Sequence, residues 1–144
     1  MKEWLLLIYK VPREPTSSRV YVWRKLKQIG ALLLHDSIWI LPANDRTQEQ
    51  LQWLAAEIAE LGGEATLARS SLLLADQDQQ LVDRFKSQAD QAYREVKTGL
   101  KKRNRDLAAL ARRFQQAQAI DFFHSELGGQ VRAALLAARK ELNS

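Results

Sequence analysis

Hydrophobic positions along the chain change their period once, near residue 75. Before that point short apolar runs alternate with stretches of helical spacing, and after it only helical spacing remains. Trp4 to Val11 is almost purely apolar, rich in strand formers and closed by Pro12, which predicts a strand buried on both faces and central in its sheet. Pro12 and Pro15 then make a short turn. Thr16 or Ser17 is placed to cap a helix that carries Val22, Trp23, Leu26 and Ile29 on one face and ends at Gly30. Ala31 to Leu34 and Ser37 to Leu41 read as two more strands, with His35 and Asp36 where a hairpin or bulge falls and Pro42 as the stop. Leu51, Leu54, Ile58 and Leu61 mark a helix over 45–61, with Thr47 as its cap and Gly62 and Gly63 as its terminator. Ala65 to Leu74 is the fourth strand.

The order strand, helix, strand, strand, helix, strand predicts an α+β fold: a ferredoxin-like βαββαβ half over residues 1–74, followed by an α-helical C-terminal half over 75–144. In the second half Leu81, Phe85, Ala89, Ala92, Val96 and Leu100 stand at three- and four-residue spacing. Gly99 and the run Lys101 to Arg105 interrupt this helix. Leu107, Leu110, Ala111 and Phe114 mark a second, and a third follows Gly128 and Gly129 with Val131, Leu135, Ala138 and Leu142 apolar. Helices this short need a partner surface. They are expected to form a hairpin or a three-helix group that packs with the first half as one unit, or to pair between subunits.

Composition narrows the class. A chain of 144 residues with 46% apolar and 27% charged residues is an ordinary globular domain with room for one core. With no cysteine there is no disulfide framework, thiolate metal site or cysteine nucleophile. The Trp4 to Tyr9 run is far shorter than a membrane span and lacks a cleavage site, so a cytoplasmic protein without membrane association is expected. The net charge of +5 favours an anionic partner. Lys and Arg outnumber Asp and Glu by 9 to 8 in residues 1–74 and by 13 to 9 in 75–144, so the excess lies in the second half.

Two clusters carry candidate chemistry. Lys97, Lys101, Lys102, Arg103, Arg105, Arg112 and Arg113, with Arg94 nearby, form a basic stripe suited to phosphate contacts, against a plain reading as a solvated helical face. Lys10, Arg13, Arg19 and Arg24, with Lys25 and Lys27 beyond them, gather near one end of the first strand and the first helix, where a small oxyanion or phosphate fits; pairing with Glu14 is the ordinary alternative. His35 and His124 have no ligand-type spacing, and His35, Asp36 and Ser37 read as a turn, so no metal site and no catalytic residue is expected. Trp4, Trp23, Trp39 and Trp53 are expected in the core, with base stacking the minority use.

WLLLIYKVPREP (Trp4 to Pro15), RVYVWRKLKQIGALLLHDSIWILP (Arg19 to Pro42), QLQWLAAEIAELGGEATL (Gln50 to Leu67) and the late DFF (Asp121 to Phe123) together resemble the N-terminal domain of the ChrB family over most of the chain. The resemblance implies a chromate-responsive transcriptional regulator with DNA as partner. Longer members carry a further C-terminal domain, and functions housed there are expected to be absent from a chain ending at Ser144. A more distant likeness joins the opening to small CRISPR integration nucleases and phenylacetate-pathway repressors, whose first strand ends in Tyr-Asp-x-Pro. Here Tyr9, Lys10, Val11 and Pro12 put a cation where the metal-holding Asp would stand, which argues against a nuclease. The expectation is a non-enzymatic, cofactor-free DNA-binding domain that forms a homodimer. Its rival is an accessory protein of a chromate-resistance system that does not bind DNA.

Overall fold

The computed structural model describes residues 2–144. In chain order they form β1 (Trp4–Lys10), α1 (Thr16–Gln28), β2 (Leu32–His35), β3 (Ile38–Pro42), α2 (Asp45–Glu60), β4 (Glu64–Ser70), α3 (Gln77–Leu100), α4 (Leu107–Ala119) and α5 (Glu126–Asn143). The strands make one sheet in the order β2-β3-β1-β4 with every neighbouring pair antiparallel. The fold is therefore α+β, with three helices after the sheet. The chain divides into two compact units, one ending at Asp78 and the other beginning at Gln79.

In the first unit β1 is central, as its unbroken apolar run requires. Leu5 and Leu7 pair with Leu41 and Trp39, and all four are buried. Residues directly opposite one another share a sheet face, so this quartet forms one layer, and the alternate positions Trp4 and Ile40 are buried on the other face. Toward its C-terminal end β1 emerges: Ile8 is 41% exposed and Lys10 is open. The α1 helix contributes Ser18, Val22 and Leu26 to the core, and α2 contributes Thr47, Leu51, Leu54 and Ile58. The Trp4 indole donates to the Asp78 carboxylate at 2.8 Å, which satisfies the one polar atom of a fully buried ring.

Several local expectations are corrected. No side chain caps α1: its N-cap is Pro15, and Thr16 is already helical. The cap of α2 is Asn44, whose side chain accepts from Thr47 N at 2.8 Å while the Thr47 hydroxyl accepts from Asn44 N at 3.1 Å, a reciprocal capping box with Thr47 at its third position. The fourth strand stops at Ser70, four residues early, leaving Leu73 and Leu74 exposed. Trp23 and Trp53 are 52% and 66% exposed, because both stand off the Val22/Leu26 and Leu51/Leu54/Ile58 stripes at 100° per residue. Only Trp4 and Trp39 are core tryptophans.

The second unit is built around Ala89, Tyr93 and Val96 of α3, Leu110, Phe114 and Ala117 of α4, and Val131 and Leu135 of α5. The fifth helix does not follow the Gly128–Gly129 pair but contains it. Ser125 caps it by accepting from Leu127 N at 3.2 Å, and Gly128 sits where a Cβ would meet the Tyr93 ring at 2.8 Å. The glycine allows close helix packing here rather than a chain break. No described helix is long and apolar enough to cross a membrane.

Candidate functional site

Among the described residues each unit has a place where cations meet concave surface. In the first unit a cavity of about 840 Å³ lies between the flank of α1 and the β2–β3 hairpin. Its helical wall is Thr16, Arg19, Val20, Trp23 and Arg24, which at spacings of three and four residues form one face of α1 next to the buried Val22/Leu26 stripe. Tyr9, Leu33 and Trp39 line it from the sheet, Lys10, Val11 and Arg13 from the strand that runs into the turn, and Asp36 and Ser37 from the hairpin. Asp36 takes the turn with φ 42°, in the left-handed region that an Asp tolerates better than most residues. All four residues of the expected oxyanion cluster, Lys10, Arg13, Arg19 and Arg24, are on this one cavity.

The electrostatics of the four differ. Lys10 has an exposed partner, Glu64, across the β1–β4 pair at 3.6 Å. No carboxylate stands within ion-pair distance of Arg13, Arg19 or Arg24 among the described residues. The expected pairing with Glu14 is not formed. Burial pushes the Tyr9 phenol above its ordinary value, while the Trp39 indole donating to its oxygen and the nearby Arg19 charge pull the other way. At neutral pH Tyr9 is therefore a neutral hydroxyl beside a cation.

The basic stripe of the second unit is not one surface. Lys97 and Lys101 line a groove of about 700 Å³ together with Lys86, Asp90 and Arg94 of α3 and with Ser125, Glu126, Leu127 and Gln130 at the start of α5. Positions 86, 90, 94, 97 and 101 follow one another at helical spacing, so four cations and one carboxylate share a single face. Lys86, Arg94, Lys97 and Lys101 have no ion-pair partner among the described residues. Lys102 and Arg103 stand on the exposed α3–α4 turn, and Arg112 and Arg113 are exposed on α4 away from the groove. Arg105 is committed elsewhere: it donates to the Leu100 carbonyl at 3.1 Å and to Glu141 at 3.3 Å, tying the turn to α5.

A polar chain sets the groove's far side. The Tyr93 hydroxyl donates to Asp121 at 2.8 Å, Asp121 accepts from Ser125 N at 2.9 Å, and the Ser125 hydroxyl donates to Asp90. Burial, followed by the hydrogen bond to Asp121, pushes the Tyr93 phenol well above its ordinary value. Phe122 meets Phe85 edge to face with centroids 5.6 Å apart, and Phe123 packs on it at a tilt with centroids 6.1 Å apart. The late DFF motif is thus a packing and capping device for α5. Sequence reasoning missed Lys86 as a site residue, although its spacing from Arg94 and Lys97 carries the signal. It also read Trp23 chiefly as a core residue, whereas the side chain is half exposed on the first cavity. Among the described residues no group of three or more His, Asp or Glu is placed to hold a metal ion.

Comparison with known proteins gives one consistent family. Residues 19–118 match the family described as Protein ChrB, N-terminal. Over 77 residues the chain is 32% identical to Protein ChrB of Cupriavidus metallidurans, a stretch that covers 54% of this chain and 23% of that protein. The chain thus matches less than a quarter of the length of this curated relative. No solved structure matches.

Proposed function

Because the chain belongs to the family of ChrB N-terminal domains, we propose that it is a DNA-binding regulatory domain that works in the cellular response to chromate. Its βαββαβ order and β2-β3-β1-β4 sheet support a ferredoxin-like reading of the first unit. The phosphate-contacting surface is assigned to the second unit.

The observation that carries this reading is the α3 face. Lys86, Arg94 and Lys97, over about 16 Å of α3 at 1.5 Å per residue, and Lys101 in the turn that follows are solvent-facing and unpaired. A lysine-rich row of this kind suits a run of phosphates, which needs point charges along a line rather than a closed pocket. The two carboxylates on the groove, Asp90 and Glu126, are outnumbered by its four cations and leave it net positive. Arg105 is left out of this surface because its guanidinium holds Glu141 and the Leu100 carbonyl.

The test is fluorescence anisotropy of labelled duplex DNA from upstream of the chain's own gene, across a salt series and with or without chromate. Replacing Lys86, Arg94, Lys97 and Lys101 together by Ala should weaken binding to all sequences. It should also reduce the slope of log affinity against log salt by about 3.6 if all four contact phosphates, since each contact contributes about 0.9. An unchanged slope removes the groove from the DNA interface. Binding released by chromate puts the sensor in this domain, and absence of specific binding favours the accessory-protein reading.

A further inference from the structure

We propose that the cavity of the first unit binds an organic anion: a molecule with a flat apolar body and a carboxylate, sulfonate or phosphate at one end. This is a ligand of a different kind from chromate and a site separate from the α3 groove. Three observations converge on it.

The first is size and lining. A hollow of about 840 Å³ lies in the range of small-molecule sites and far exceeds what one tetrahedral oxyanion fills. Chromate also has only oxygens to offer, whereas the sheet side of this cavity is Tyr9, Leu33 and Trp39. The second is exposed apolar surface. Val20, Trp23 and Leu33 are 39%, 52% and 42% exposed, and all three line the same cavity. Large apolar side chains collected in one concavity and left open to water mark a binding surface more often than a folding requirement. A planar ring laid against Trp23 covers the most exposed of them.

The third is charge. Arg13, Arg19 and Arg24 line the hollow without a carboxylate in ion-pair reach, so three like charges share it with no direct counter-ion. Asp36 lines the cavity but pairs with none of them, and the fourth cation, Lys10, faces Glu64 at 3.6 Å in an exposed pair. An incoming anion supplies that counter-ion. The guanidinium fork matches a carboxylate or phosphate with two parallel hydrogen bonds and stacks on rings, which the lysines of the groove cannot do. The ligand's charged end is therefore placed among the arginines of α1 and the β1–α1 turn, and its ring between Trp23 and Leu33.

The test uses the full chain and the aromatic sulfonate 1-anilinonaphthalene-8-sulfonate, titrated by its own fluorescence. The expected result is one saturable site per chain. Trp23→Ala should weaken it about five-fold and the triple variant Arg13→Gln, Arg19→Gln, Arg24→Gln about ten-fold or more, with unchanged far-ultraviolet circular dichroism. N-phenyl-1-naphthylamine, the same ring system without the sulfonate, should bind at least about ten-fold more weakly. If the triple variant fails to fold, Trp23→Ala and the neutral probe still decide the matter. Equal affinity in folded variants overturns the proposal, as does equal affinity of the neutral compound. Displacement of the probe by chromate well below the concentration of sulfate needed makes this a small-oxyanion site instead. Displacement by a short single-stranded oligonucleotide makes it a nucleic-acid site, and either result rejects the organic anion.

Discussion

The two units gather cations in different company. In the first unit Arg13, Arg19 and Arg24 surround a hollow with Trp23, Val20 and Leu33 open inside it; in the second, mostly lysine side chains run along α3 beside polar groups and the capped start of α5. Net charge does not separate these places, since both are basic. The residues between the charges do. Aromatic surface next to a guanidinium favours a bounded, partly apolar ligand, whereas spaced ammonium groups on a helix favour a long, regularly charged one. A basic cluster in a sequence therefore acquires meaning only when the neutral residues that share its face are known.

The comparison breaks hardest at Gly63. A Cβ there would fall inside the backbone oxygen of Lys10 and would also meet Val11 at 2.9 Å and Ile58 at 3.0 Å. Lys10 and Val11 form part of the cavity rim, and a backbone atom cannot rotate away as a side-chain end can. Gly63→Ala should cost about 2 to 3 kcal/mol or more by overpacking, measured by urea denaturation. It should also weaken probe binding in the first unit while leaving the salt slope for DNA unchanged. A loss of both activities together would show that the two sites are not independent.

A smaller effect is expected at Tyr93, which anchors the groove as Gly63 anchors the cavity rim. Tyr93→Phe keeps the ring packed on Phe114, 5.7 Å between centroids, and removes only the bond to Asp121. A hydrogen bond to a charged group contributes about 1.5 to 3 kcal/mol, and Asp121 retains Ser125 N as donor, so a loss of about 1 to 2 kcal/mol is expected. The pH dependence follows from the raised phenol. Since the folded protein holds this proton more tightly than the unfolded chain, the contribution is complete below the ordinary value of 10.0 and is lost as pH rises toward the folded one. Wild type should lose stability above pH 10, and Tyr93→Phe should lack that part of the alkaline fall. Thermal melts from pH 8 to 11 check it.

Periodicity made the element order legible, because β1, α2 and α3 each carry an unambiguous apolar pattern, and the four cations now on the cavity were already grouped. Three things were not legible, for distinct reasons. Trp23 sits one residue from Val22, so a stripe counted from sequence absorbed it, though a 100° step puts it on the flank that faces the cavity. Gly128 and Gly129 carry the usual signature of a helix break, and only the approach of Tyr93 explains why one of them stands inside α5. Arg105 is indistinguishable from Lys101 or Arg103 by composition, and its removal from the basic surface depends on Glu141, 36 positions away. Contacts distant in sequence decide the last two cases, and the helical step alone decides the first.

The smallest effect concerns the anchor of the first unit and has the opposite sign. Asp78 accepts from the Trp4 indole much as Asp121 accepts from Tyr93, but here the titrating group is the acceptor. The indole hydrogen bond, with the Lys2 backbone N–H and charge adding to it, holds the Asp78 carboxyl below its ordinary value of 3.8. A depressed carboxylate contributes stability that is present above the ordinary value and lost as pH falls through the folded one. Asp78→Asn keeps an oxygen to accept from Trp4 but lacks the charge, so its melting temperature at pH 7 should lie slightly below wild type and the two should converge in acid. Below about pH 4 the wild-type curve should fall more steeply than the variant's, because only wild type has this proton to take up. Parallel acid limbs would mean that the carboxylate charge contributes nothing beyond the hydrogen bond itself. Set beside the alkaline fall expected from Tyr93, this places the first unit's aromatic anchor on the acid side of the stability profile and the second unit's on the basic side.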